Sequence, residues 1–125
     1  MGMVGELPRP LPPKEFLQHV RDRFHCGCTR HTELPDSPLQ RVAVLGGSGA
    51  FAIGAAKGAG ADILITADVK YHEFYQAEGK LVIADIGHYE TEQFTKNLLA
   101  EYLSEKIPNF AIALSETKTN PINYF

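Results

Sequence analysis

Three short and almost purely apolar runs constrain this chain more than any other feature: RVAVLG from Arg41, DILITAD from Asp62 and LVIADIG from Leu81. None alternates apolar with polar positions, as a strand with one wet face would. Brief continuous apolar runs bounded by turn residues read as strands covered on both faces, and such strands belong to parallel sheets held between helices. The intervening stretches agree. Phe51 to Lys57 reads as a small-residue helix closed by Gly58 and Gly60, and KYHEFYQAEG from Lys70 as a short helix with a glycine stop. The expected fold is α/β: a mostly parallel sheet with helices on both faces and right-handed crossovers.

The flanks extend this pattern. Met1 to Pro13 holds four of the eight prolines and reads as an extended connecting arm, leaving residues 14–125 as the core of one domain. Pro12 and Pro13 stand where a helix begins, and Phe16, Leu17, Val20 and Phe24 give it an apolar stripe. A strand is expected around His25 to Thr32, then a polar turn through Pro35, Asp36 and Pro38. After LVIADIG the spacing predicts one long helix whose buried face is Phe94, Leu98, Leu99, Tyr102 and Leu103. NFAIALS from Asn109 reads as a final strand before a polar tail ending in NPINYF.

Composition narrows the function. A chain of 125 residues, 44% hydrophobic and 22% charged, is a soluble globular domain. Its apolar runs fall well short of the roughly 20 residues that span a bilayer, and no secretory signal opens it, so no membrane is expected and a cytoplasmic setting is. A net charge of −3 with both signs scattered offers no basic stripe, so nucleic acid is not indicated. Cys26 and Cys28 are flanked by His25 and His31, but no second CxxC or HxxxH pair completes four zinc ligands. Two reduced thiols are expected instead.

In open α/β sheets ligands gather at the carboxyl ends of the strands. Three polar clusters fall there: Gly46 to Gly49, Thr66 to His72, and Asp85 to Glu92. GGSGAF lacks a P-loop lysine and the full dinucleotide-binding spacing, so it reads first as a tight turn beside a ligand pocket and second as an anion cradle. Asp68 and His72 read either as a helix cap and a locally bonded imidazole, or as groups supporting a neighbouring site. The sharpest signal is GHYETE at Gly87 to Glu92. His88 and Glu92, four apart on a helix, share one face and can reach one divalent cation, whereas Glu90 and Glu92 could equally serve the helix dipole.

The succession GGSG, ADILITADVKYHE, LVIADIGHYETE and NPINYF, with the GMVGELP opening, resembles the C-terminal half of the NIF-three-like dinuclear-metal proteins, also labelled GTP cyclohydrolase I type two homologues. The resemblance spans nearly the whole chain, and GHxxxE is its most specific part. It implies a mixed α/β fold, a hexameric toroidal homo-oligomer, and two divalent metal ions per full-length subunit, with Zn, Mn, Fe or Co as candidates. His88 and Glu92 are the metal ligands it carries over; Asp68 and His72 match a motif near that centre and are not carried over as ligands. The family's paired histidines have no counterpart here, since no HH dipeptide occurs, and the resemblance therefore implies a fragment of a longer two-lobed protein. The implied activity is that of a metal-dependent hydrolase acting on a small molecule such as a nucleotide. The alternative is a non-catalytic metal-binding scaffold that works through oligomerisation.

Overall fold

The computed structural model describes residues 2–125. Strand β1 (Met3–Leu11) leads through Pro12 into helix α1 (Pro13–Phe24), followed by the short strand β2 (Arg30–His31) and the long strand β3 (Leu39–Ser48). A 3₁₀ turn (Ala50–Ala52) opens helix α2 (Ile53–Gly58), which returns the chain to β4 (Ile63–Ala67). A 3₁₀ helix (Tyr71–Ala77) precedes β5 (Val82–Asp85), and helices α3 (His88–Glu92) and α4 (Thr95–Lys106) follow. The sheet order is β1-β3-β4-β5-β2. β3, β4 and β5 run parallel, while β1 on β3 and β2 on β5 are antiparallel edges.

The three apolar runs form the parallel centre, but only β4 and β5 are dry on both faces; β3 departs from the expectation, with Ala43 and Leu45 buried on one face and Val44, on the other, 39% exposed. Ile63, Ile65, Val82, Ala84 and Ile86 meet Phe16, Leu17 and Val20 of α1 on one side. Leu64, Ile83 and Ala43 meet Ile53 and Ala56 of α2 and Ala77 of the 3₁₀ helix on the other. Because side chains alternate along a strand, consecutive residues of β4 and β5 feed opposite layers, which is why these strands carry almost no polar positions. Parallel pairing also brings the carboxyl ends of β3, β4 and β5 to one edge. No helix among the described residues is long and apolar enough to cross a membrane.

Several expected elements differ. The proline-rich opening is extended, yet it is an edge strand that pairs Met3 to Glu6 with Val44 to Arg41, a place where missing donors can face outward. The strand around His25 to Thr32 contracts to Arg30–His31, and the segment after β4 is 3₁₀ rather than α-helical. The expected long helix is interrupted between Glu92 and Thr95. There Gln93 Nε2 donates to the Phe24 carbonyl at 2.7 Å and the Phe94 ring meets His25 edge-on.

Two expectations about the C-terminal region are overturned. NFAIALS has no regular structure: it joins neither edge of the sheet, and its residues lie exposed after α4. The stripe Phe94, Leu98, Leu99, Tyr102 and Leu103 is not a buried face either: each is exposed, Leu98 to 66%. Phe94 precedes α4, and no residue of that helix is buried. Leu64→Ala should therefore destabilise the chain by about 2–5 kcal/mol, and Leu98→Ala at low protein concentration by no more than about 0.5 kcal/mol. Urea unfolding of the two variants provides the comparison, and a similar loss for both would place Leu98 in the core after all.

Candidate functional site

The site at the carboxyl edge begins with a buried charge. Asp85 ends β5 at 5% exposure, and its side chain turns inward instead of toward the edge. Its Oδ2 accepts from Arg30 Nη2 and, at 2.9 Å, from the Val69 amide; its Oδ1 accepts from the Gly87 amide at 3.1 Å. Arg30 Nη2 also donates to the Val69 carbonyl at 2.9 Å. The carboxylate thus ties the loop after β4 to the turn after β5 and fixes where α3 starts. Gly87 makes that turn at φ +99°, a conformation that L side chains rarely adopt.

Helix α3 presents His88 and Glu92 on one face, with His88 Nε2 3.3 Å from Glu92 Oε2. The other ring nitrogen, Nδ1, is 2.6 Å from Oδ2 of Asp68, which sits just past β4 at φ +55°. The imidazole is therefore held from behind by a carboxylate while Nε2 faces a second one. Asp68 does not cap the helix that follows, whose N-terminal position is Lys70. His72 lies exposed on that 3₁₀ helix and makes no side-chain hydrogen bond among the described residues.

The glycine turn closes the site from the β3 side. The Gly47 amide donates to Thr91 Oγ1 at 2.8 Å, and Thr66 Oγ1 donates to the Gly47 carbonyl at 3.1 Å. A Cβ on Gly47, whose φ is +67°, would stand 2.7 Å from Glu92 Oε1 and 3.4 Å from His88 Nε2. A Cβ on Gly49 would strike Thr66 Oγ1 at 2.1 Å. Glycines here let backbone approach the His88 and Glu92 side chains, as a tight turn requires.

The strand-end residues singled out from sequence separate into distinct places. Asp68, His88, Glu92 and Gly47 come together at the open edge. Asp85 and Glu90 are buried and point elsewhere; Glu90, on the inner side of α3, is 6% exposed and accepts from Asn120 Nδ2 at 3.4 Å. Cys26 is buried in the α1 layer and Cys28 is exposed, both as free thiols. Among the described residues no three His, Cys, Asp or Glu side chains are gathered to hold a metal ion. Thr66 and Thr91 lay within the polar clusters without a role of their own, and Arg30, which also shapes the site, lay outside them. Arg30 had one indirect signal, since a carboxylate ending an apolar strand requires a partner.

The family-level relationship can be placed beside this geometry. A family model described as Duf34/NIF3 (NGG1p interacting factor 3) matches residues 1–121. The chain belongs to the Duf34/NIF3 family. It is 32% identical over 128 residues to a GTP cyclohydrolase 1 type 2 homolog of Staphylococcus epidermidis, covering 99% of this chain and 35% of that protein. The corresponding Bacillus subtilis protein is 34% identical, with 99% and 34% covered. Among solved structures, a Bacillus cereus protein related to NIF3 superposes with a TM-score of 0.83 at 31% identity, covering 100% of this chain and 36% of that one. This Duf34/NIF3 chain therefore spans about a third of the length of the curated relatives it matches.

The Asp68 contact raises the His88 pKa above its ordinary value, the hydrogen bond contributing most and the carboxylate charges of Asp68 and Glu92 adding to it against partial desolvation. For a raised histidine the linked stability is present below the unfolded value of about 6.5 and disappears as pH rises through the folded value. Both side chains are about half exposed, 48% each, so screening keeps that contribution small. In the metal-free chain, a histidine-ring NMR titration should place His88 above the ordinary value, and Asp68→Asn should bring it down. An unchanged His88 titration in the variant would remove Asp68 as the cause.

Proposed function

We propose that this chain supplies His88 and Glu92 to a divalent-metal centre, and that the centre serves a hydrolase acting on a nucleotide or another small phosphorylated or heterocyclic compound. One observation carries the reading: His88 is held by Asp68 at Nδ1 while Nε2 faces the Glu92 carboxylate across 3.3 Å. A carboxylate behind a histidine fixes the tautomer that leaves Nε2 free to ligate, the usual arrangement around a metal-binding imidazole. The cradle at Gly47, where a Cβ would press on the same two side chains, keeps backbone bulk out of that space. Two donors are half of a typical set, and no third His, Cys, Asp or Glu joins them to form a metal-holding group among the described residues, so in this reading the set is completed by groups outside this one chain. Zn, Mn, Fe and Co all accept an imidazole and a carboxylate, and two ions per complete subunit is the reading taken from the family.

When bound, such a metal supplies Lewis-acid polarisation and acidifies water at neutral pH. The chain's own residues hold and orient: Asp68 sets the imidazole, Thr91 and Gly47 lock α3 to β3, and Asp85 fixes the turn that precedes the helix. The relatives' printed name, GTP cyclohydrolase 1 type 2 homolog, makes nucleotides the first substrates to try. A cytoplasmic setting, in which both thiols stay reduced, accompanies this reading.

His88→Ala and Glu92→Ala should each lower bound metal while leaving the melting temperature nearly unchanged, because both side chains are about half exposed at a loop-helix junction. Elemental analysis of protein carrying the complete ligand set reads the loss, and unchanged stoichiometry in both variants would refute the assignment. Turnover of a nucleotide panel with each candidate metal separates the hydrolase from a non-catalytic metal-binding scaffold.

We also propose a homo-oligomer, with a hexameric ring as the family-based expectation. Its support is the uncovered stripe of α4, where Phe94, Leu98 and Tyr102 repeat every four residues and Leu99 and Leu103 widen the band. Sedimentation should detect self-association at micromolar concentration, weakened by Leu98→Glu. A clean monomer at all concentrations would count against it.

A further inference from the structure

Helix α3 is only five residues long, too short to hold its own shape without tertiary restraints. Its outer face carries His88 and Glu92. Its inner face rests on Glu90, a carboxylate removed from water at 6% exposure, which has no cation beside it among the described residues and accepts one side-chain hydrogen bond, from Asn120 Nδ2 at 3.4 Å. Asn120 belongs to the C-terminal tail, which follows α4 without regular structure and returns across that helix, where Lys96 Nζ donates to the Ser115 carbonyl at 3.0 Å.

The tail is seated by glycines. The Tyr124 ring lies over Gly27, where a Cβ would come within 3.3 Å of it, and its hydroxyl lies beside Gly87, where a Cβ would be 3.2 Å away. The same Cβ on Gly87 would run into Glu90 Oε2 at 2.2 Å. Gly87 thus admits two side chains at once, Glu90 from within α3 and Tyr124 from the tail. Asn120 Oδ1 also accepts from the Ile122 amide at 3.1 Å, so the turn carrying Asn120 is itself shaped by that side chain.

We infer that Asn120 and Tyr124 are positioning residues for His88 and Glu92: the C-terminal tail is a strap that pins α3 from its inner face through the buried carboxylate of Glu90. This rests on the metal-site reading for its consequence but not for its contact. An α3 released from the strap is still tethered by Thr91 and Gln93, so the chain remains folded while the two outer side chains lose their fixed separation.

The test uses the full chain and Asn120→Asp, which replaces the donor facing Glu90 with a second carboxylate. Hydrogen exchange at the Thr91 and Gln93 amides, which bond the Gly87 and Tyr89 carbonyls within α3, should quicken about tenfold, the scale expected for losing a hydrogen bond to a charged group. Zn²⁺ alone, titrated while following the His88 ring by NMR, should bind about 10-fold more weakly. The added negative charge by itself would strengthen cation binding, so a weakening reports position. Adding Glu90→Gln should restore both readouts, because a glutamine amide can donate to the carboxylate introduced at position 120. Unchanged exchange in Asn120→Asp would overturn the strap, and faster exchange with unchanged Zn²⁺ affinity would overturn the positioning role. If the wild-type chain leaves the His88 resonances unmoved by Zn²⁺, the metal reading falls, and exchange with its rescue still decides the strap.

Discussion

A carboxylate drawn out of water at the end of a strand organises the functional edge of this protein. A buried carboxylate needs partners for its oxygens, and Arg30, Val69 and Gly87 supply them to Asp85. Arg30 is itself half exposed, so solvent screens the ion pair and the two backbone amides carry much of the restraint. Those amides belong to the two loops that deliver Asp68 and His88. Satisfying one buried charge therefore fixes the separation of the residues that meet at the surface.

Around this anchor the site is built by close approach. The glycines at the end of β3 and just past it bring backbone against Thr66, His88 and Glu92 at distances that a side chain would prevent. Hydroxyls then do the joining, Thr66 to the Gly47 carbonyl and Thr91 from the Gly47 amide. Their effect is to hold a five-residue helix whose own hydrogen bonds are too few to keep two ligand-type side chains in place.

The parallel centre was legible in sequence because burial on both faces leaves a direct mark in DILITAD and LVIADIG, which have no polar alternation; RVAVLG reads the same way although one face of β3, at Val44, stays exposed. The stripe of α1 and the i, i+4 pair His88 and Glu92 were legible for a similar reason, since helical geometry alone sets which residues share a face. The α4 stripe shows where that reasoning stops. Periodicity places Phe94, Leu98 and Tyr102 together, but whether they are covered depends on what packs there. NFAIALS marks a second limit, because strand-forming composition does not decide whether a segment joins the sheet.

Sequence by itself determined the layers, the order of the central strands' supporting helices, and the crowding of polar clusters at one carboxyl edge, all consequences of local periodicity and of the preference of buried backbone for parallel ladders. Tertiary structure decided which members of those clusters face solvent and which are consumed inside. Asp85 is matched by Arg30 from 55 positions away, His88 by Asp68 from 20, and Glu90 by Asn120 from 30. No local pattern encodes such pairs. They arise because the chain must satisfy each buried or half-buried charge with whatever donor the completed fold brings within reach, and that is known only once the strands are in register.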